Sequence, residues 1–190
     1  MLGLILAGGK SSRMGKDKAL IKVKKKTILD NTAEILDSYS DKVFISINSN
    51  QRSEPNRSKY QTLVDQSGLK GPMAGILSAA MHDSDSAWII VSCDLPLLDR
   101  STIQYLIEKR AKDKYATFYA SNKNDIEPLC GIYEPRLLKM LISDPSIIIK
   151  MSPQLTLRKM DIEVIDSISS DALFNLNRMT PKASNIIDNE

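Results

Sequence analysis

Leu2-Gly-Leu-Ile-Leu-Ala-Gly-Gly-Lys-Ser-Ser-Arg-Met-Gly-Lys-Asp-Lys18 opens as an apolar run and closes as a basic, glycine-rich turn. Leu2 to Ala7 is too short for the core of a signal peptide with its usual flanks, and far too short to span a bilayer. It reads as a first buried strand. Beyond it, glycines allow a sharp turn and bring backbone N–H groups within reach of a phosphate or a base. Arg13 and Lys18 add fixed positive charge suited to a polyphosphate. The string is not a Walker loop: the glycine spacing differs, and Asp17 stands where Ser or Thr would hold magnesium. It also lacks the glycine spacing of a dinucleotide fingerprint. A glycine-rich turn alone is as readily structural as functional; the full string with its Arg and Lys is more specific.

Working outward, strand-like and helix-like stretches alternate. Thr27 to Ser38 carries Ile28, Leu29, Thr32, Ile35 and Leu36 at helical spacing, with Thr27 and Asp30 as an approximate capping box. Val43 to Ile47 reads as a strand, Asn48 to Lys59 as a surface loop, Gly68 to Gly75 as a loop and Ile76 to Met81 as a helix. Trp88 to Ser92 is continuously apolar up to its last residue, the pattern of a strand buried on both faces. Ser101 to Lys109 is an amphipathic helix. Thr117 to Ala120 and Leu129 to Tyr133 are strands, and Pro135 to Ile142 is a helix with proline in its first turn. After an irregular stretch from Asp144 to Pro153, a helix is expected over Gln154 to Lys159 and a strand over Ile162 to Ile165. A short strand near Asn175 and a last helix opened by Thr180 and Pro181 complete the chain. Strands alternating with helices imply right-handed crossovers, hence an α/β protein with a mainly parallel sheet between helices. Ligands of such sheets bind beyond the carboxyl ends of the strands, where the strand order reverses.

With 190 residues, 42% hydrophobic and 26% charged, the chain fits one domain, residues 1–190, with material for a core. A net charge of +3 is too small to argue for nucleic acid as the main partner. Cys93 and Cys130 stand far apart, outside any metal-ligand spacing, so the expected setting is cytoplasmic, with no membrane partner. One histidine, His82, leaves no Ser–His–Asp or Cys–His arrangement to argue; a capping or surface role suits it. The Lys24 to Lys26 run is most simply a solvated turn, and Trp88 a packing residue.

The strand ends carry the remaining candidates. Asp94, directly after Trp88 to Ser92, suits magnesium, which takes hard oxygen ligands from one or two carboxylates plus phosphates and water. Its alternative is a cap on the turn at Pro96. Asp65 is followed by Gly71-Pro-Met-Ala-Gly-Ile76, where glycines at a helix start permit close backbone approach and the helix N-terminus favours anions. A tight loop that simply needs glycine is the alternative. Asn175 and Asn177 share a face if extended, although paired asparagines are commonly turn formers.

Together these strings resemble the molybdenum cofactor guanylyltransferase family over nearly the whole chain. Leu6-Ala-Gly-Gly-Lys-Ser-Ser-Arg-Met-Gly-Lys-Asp-Lys-Ala-Leu20 is similar to its signature, and Gly71 to Ile76, Cys93-Asp-Leu-Pro96 and Glu127-Pro-Leu-Cys130 follow in the family's order. The resemblance implies a Rossmann-like, three-layer nucleotidyltransferase fold. It implies that Leu6, Ala7 and Gly8 meet the nucleotide through the backbone, with Lys18 and Arg13 on the triphosphate. Asn48, Asp65, Gly71 and Gly75 would lie beside the nucleotide, Asp94 on Mg2+, and Asn175 and Asn177 on the cofactor side. The implied reaction moves GMP from GTP to the phosphate of molybdopterin. Partners that deliver the cofactor or mature molybdoenzymes are implied with it. A cytidylyltransferase for the same cofactor, a sugar-phosphate nucleotidyltransferase and a non-catalytic nucleotide-binding regulator are the competing readings. Two departures stand out. Arg178 and Met179 separate Asn177 from Thr180-Pro181, with Lys182 following, and the Lys24 to Lys26 turn lacks a glycine common in relatives.

Overall fold

The protein is described by a computed structural model that covers residues 1–9, 17–23, 25–66, 68–121, 125–168 and 171–176. In chain order these residues form β1 (Leu2–Leu6), β2 (Lys22–Val23), β3 (Lys26–Thr27), α1 (Ile28–Asp37), β4 (Lys42–Ile47), β5 (Gln61–Val64) and α2 (Pro72–His82). Then follow β6 (Trp88–Ser92), α3 (Arg100–Glu108), β7 (Ala116–Ser121), β8 (Asp125–Tyr133), α4 (Pro135–Ser143), α5 (Pro153–Leu157) and β9 (Glu163–Ile165). Seven strands make one sheet in the order β5-β4-β1-β6-β8-β7-β9, and β2 pairs with β3 as a separate hairpin. β5, β4, β1 and β6 are mutually parallel, β8 runs antiparallel to both its neighbours, and β9 returns parallel to β7. The chain leaves β1 toward β4 and β5 and then crosses to β6 on the other side of β1, so the strand order reverses beside β1.

The alternation of side chains along the strands builds a core on each face. Ile5, Ile45, Ile89 and Val91 join Leu29, Leu36, Ile103 and Leu106 of α1 and α3. Leu4, Leu6, Phe44 and Ile90 join Met73, Ile76, Leu137 and Leu157 of α2, α4 and α5. Three layers result, helices on both faces of the sheet. β6, buried at all five positions, supplies both cores. α1 starts where its cap requires: the Thr27 hydroxyl accepts from the Asp30 N–H at 3.0 Å. The Asp30 carboxylate also accepts from Lys59 Nζ at 2.5 Å and from the Tyr60 hydroxyl, pinning the β4–β5 connection to α1.

Several elements differ from expectation. α2 begins at Pro72 rather than Ile76, with Gly71 at φ 79° as its N-cap. The two glycines had suggested a loop through Gly75, but Gly75 lies inside the helix because α2 is buried from Met73 to Ala80 and must approach the sheet closely. β5 was not expected, as half of its residues are exposed and it lacks an apolar run. The Asn48 to Lys59 stretch holds a 3₁₀ turn, Ser49–Gln51, capped by Asn48, and buries Arg57. No strand forms at Asn175; the segment instead returns to the sheet edge, where the Leu176 N–H donates to the Asp94 carbonyl at 3.0 Å. The expected helix at Thr180 and Pro181 lies outside the described residues, as does Lys24. Lys25 takes φ 72°, the left-handed conformation for which glycine is the easy choice. Among the described residues no helix is long and apolar enough to cross a membrane.

Gly75 tests how tightly the layers are fitted. A Cβ there would overlap Ser46 Oγ and come within 2.6 Å of Leu6 Cδ2. Alanine gains about 1 kcal/mol of helix propensity, but overpacking of this kind costs about 1–3 kcal/mol. Gly75→Ala is expected to lower the urea midpoint without changing the slope, and an unchanged or raised midpoint would show that α2 can move off the sheet.

Candidate functional site

The parallel register sets the site. Leu6 lies level with Ser46 of β4 and with Ser92 of β6, so three neighbouring strands end on one line. The ladder runs one step further: Ala7 N–H donates to Ser46 O at 3.0 Å, Cys93 N–H to Leu6 O at 3.2 Å and Asp65 N–H to Ile47 O at 2.8 Å. Gly8, Asn48, Asp65 and Asp94 are thereby held along one edge, at the reversal of strand order, where ligands of open α/β sheets bind. A cavity of about 300 Å³ opens there.

Of the residues singled out in the sequence, Leu6, Gly8, Lys18, Asp65, Gly71, Asp94 and Asn175 line this cavity. Ala7, Asn48 and Gly75 stand behind its wall. Asn48 donates from Nδ2 to the Gly8 carbonyl at 2.9 Å, while its Oδ1 accepts from Asn50 N–H at 3.0 Å, so its side chain fixes the strand-end turn. Arg13 and Asn177 lie outside the described residues.

Gly8 has a local reason to be glycine. A Cβ would sit 2.7 Å from Asp65 Oδ2 and 3.1 Å from the Asn48 nitrogen. The Asp65 carboxylate therefore lies directly against the backbone of the signature turn. Its Oδ1 accepts from the Ser46 hydroxyl at 2.5 Å. Burial raises the Asp65 pKa above the usual carboxylate value, and the Ser46 hydrogen bond opposes that rise. Ser46 was not visible as a site residue because a serine inside a strand gives no local signal.

Asp94 is buried, immediately beyond β6, with its backbone carbonyl bound by Leu176. Among the described residues no group of three His, Cys, Asp or Glu side chains converges to cage a metal. Asp94 alone fits magnesium of the kind that arrives with phosphates and waters and takes one or two carboxylates from the protein. Burial of the neighbouring Cys93 thiol, then Asp94 and Asp17, push its pKa up to about 12, which disfavours the thiolate. Asp17 caps the 3₁₀ turn Lys18–Leu20, its Oδ1 accepting from Ala19 N–H at 3.0 Å, and so presents Lys18 at the cavity. A register shift in β8 opposite Phe118 and Tyr119 leaves Leu129 without a β7 partner, and Leu129 lines the cavity. What the arrangement offers is backbone and cation for phosphates, a carboxylate for a phosphate-borne metal, and, in Asp65, a carboxylate with acceptor capacity for hydrogen-bond donors.

Known proteins resemble this chain in sequence and in fold. The family model for the MobA-like NTP transferase domain matches residues 3–144. A molybdenum cofactor biosynthesis bifunctional protein of Synechocystis sp. (strain ATCC 27184 / PCC 6803 / Kazusa) is 35% identical over 148 residues. That match takes in 77% of this chain but only 43% of the relative, so the chain spans less than half of that longer protein. A probable molybdenum cofactor guanylyltransferase of Carboxydothermus hydrogenoformans is 32% identical over 181 residues, 93% of this chain and 89% of the relative. Among solved structures, molybdopterin-guanine dinucleotide biosynthesis protein A from Archaeoglobus fulgidus superposes with a TM-score of 0.74 at 18% identity, covering 97% of this chain and 95% of that one. A protein from Aquifex aeolicus VF5 gives the same TM-score of 0.74 at 23% identity, covering 94% of each chain. At such identities the structural likeness speaks for the fold.

The contrast between two lysines follows from their placement. Lys18 lines the cavity, whereas Lys25 is exposed in the β2–β3 turn. Lys18→Ala is expected to weaken nucleoside triphosphate binding far more than Lys25→Ala in calorimetric titrations; equal effects would mean that the signature turn does not hold phosphates.

Proposed function

The chain belongs to the MobA-like NTP transferase family, and from that premise we propose that it transfers GMP from GTP to the phosphate of molybdopterin, releasing pyrophosphate and forming the guanine dinucleotide cofactor. The observation that carries the reading is one cavity that gathers Lys18, Asp65 and Asp94 at the edge where the strand order reverses. Relatives named for molybdenum cofactor guanylylation support the choice of substrates.

A terminal phosphate oxygen of molybdopterin forms a bond to the α-phosphorus of GTP, and the bridging oxygen leaves with its electron pair in pyrophosphate. The attacking oxygen is already ionised at neutral pH, so no side-chain nucleophile or histidine base is required. Catalysis rests on positioning and on charge neutralisation. Lys18 holds negative charge of the triphosphate, and Arg13, by its place in the signature, joins it. Asp94 would hold the magnesium, which neutralises phosphate charge when bound. Leu6 to Gly8 and Gly71 bring backbone groups to the nucleotide. Asp65, with one oxygen already accepting from Ser46, keeps acceptor capacity for donors on the nucleotide. Asn175 lies toward the cofactor side.

GTP is the expected donor. Guanine presents donors at N1 and N2 and an acceptor at O6, and a glycine-lined wall lets backbone groups pair with that edge. Adenine reverses the pattern, leaving buried groups unpaired at about 1–3 kcal/mol each. Pyrophosphate release would be measured with molybdopterin, magnesium and each triphosphate in turn. Turnover with CTP equal to that with GTP would refute the guanine assignment, and no release with any triphosphate would refute the transferase. Asp94→Asn keeps the shape and removes the charge, so it is expected to reduce turnover about 10²–10³-fold, the usual cost of losing a main electrostatic stabiliser. Unaltered magnesium-dependent turnover in a folded variant would exclude Asp94 as the ligand.

A further inference from the structure

Arg57 is the unusual residue of this molecule. It lies in the polar connection between β4 and β5, yet only 1% of its surface is exposed. Its guanidinium faces Ala7 and Asp17 rather than solvent. One nitrogen, Nη2, donates to the Ala7 carbonyl at 3.2 Å and to Asp17 Oδ2 at 2.6 Å, and Nη1 pairs with Glu54. Ala7 and Asp17 flank the glycine-rich stretch, so one buried cation ties together the residues on either side of it.

Asp17 is the reason the contact matters. It lines the same cavity as Lys18 and Asp94, and 27% of its side chain is exposed. A carboxylate in the wall of that cavity with no role toward metal or base opposes a triphosphate unless its charge is cancelled. Its Oδ1 is committed to the Ala19 N–H, which sets the turn that carries Lys18, so the residue is kept for its geometry. Its Oδ2 is met by the guanidinium of Arg57. Arg57 in turn is largely cut off from water, where a charge interaction is stronger than at the surface, and Glu54, more exposed, pairs with its other terminal nitrogen.

Resting on the nucleotidyltransferase reading, we propose that Arg57 is a positioning residue that masks the Asp17 carboxylate from the triphosphate, so that Asp17 shapes the Lys18 turn without repelling the substrate. The nucleotide site thereby extends one layer below the residues that line it, into the β4–β5 connection beyond Asn48. Arg57 touches no substrate; it acts through Asp17.

Calorimetric titration of the intact protein with GTP and magnesium tests this, with urea melts to establish folding. Wild-type protein is titrated first: absence of any triphosphate binding overturns the underlying reading, and the proposal with it. With wild-type binding in hand, Arg57→Gln exposes Asp17 and is expected to weaken GTP about tenfold or more, equal to 1.4 kcal/mol for each factor of ten. The double variant Asp17→Asn/Arg57→Gln removes the repelling charge and is expected to recover most of that loss. Equal weakening in the single and double variants, or unchanged GTP affinity in a destabilised Arg57→Gln, overturns the proposal and leaves Arg57 a structural ion pair. If Arg57→Gln does not fold, two milder variants decide. Arg57→Lys retains the charge and is expected to bind within about threefold of wild type, and Asp17→Asn is expected to bind GTP no more weakly than wild type. Tenfold weakening in either overturns the proposal.

Discussion

The parallel ladder between β1 and its two neighbours is the constraint on which the rest depends. Because Leu6, Ser46 and Ser92 are in register, the chain leaves the sheet at one level three times over. Every residue that follows a strand end there is brought to a common edge, whatever its distance in sequence. β1 can hold this central place because its neighbours bury it on both sides and α1 and α2 cover its two faces. A shift of β1 by one residue would exchange Leu4 and Leu6 with Ile5 and Ala7 between the two cores, so the hydrophobic pattern that stabilises the fold also fixes the level of the site.

Close approach is the second theme, and it joins stability to function. Gly75 lets α2 rest against Ser46 and Leu6, and Ser46 in turn donates to Asp65. Gly8 lets the Asp65 carboxylate lie against the turn after β1. A side chain at either glycine would move the same carboxylate. The glycines of this protein thus act as spacers between packed layers at least as much as conformational hinges; Gly71, at φ 79° ahead of α2, is the one among these that needs the left-handed region.

Charge is distributed with similar economy. The cavity meets phosphates with backbone, Lys18 and a carboxylate suited to a phosphate-borne cation, while Asp17 and Asp65 carry negative charge that the surrounding structure tempers in different ways. The Asp65 carboxylate is met by the Ser46 hydroxyl, and that of Asp17 by the Arg57 guanidinium. Neither arrangement is visible in the net charge of +3.

The sequence by itself determined the α/β architecture, the buried character of β1 and β6, and the position of Asp94 just beyond a strand. These follow from local hydrophobic runs and from residues adjacent to them, which are short-range signals. The signature turn was legible for the same reason, since its glycines and cations are contiguous. Only the tertiary structure decided that β8 runs antiparallel with a shifted register, that α2 begins at Pro72, and that the segment of Asn175 is tied to the sheet edge by the Leu176 N–H donating to the Asp94 carbonyl rather than by a strand. The burial of Arg57 belongs to the same group. An arginine in a polar loop reads as surface, because nothing nearby in the sequence shows that residues distant along the chain, Ala7 and Asp17, will surround it. Propensity and periodicity report on neighbours along the chain, whereas the partner of a buried charge is chosen by packing across it.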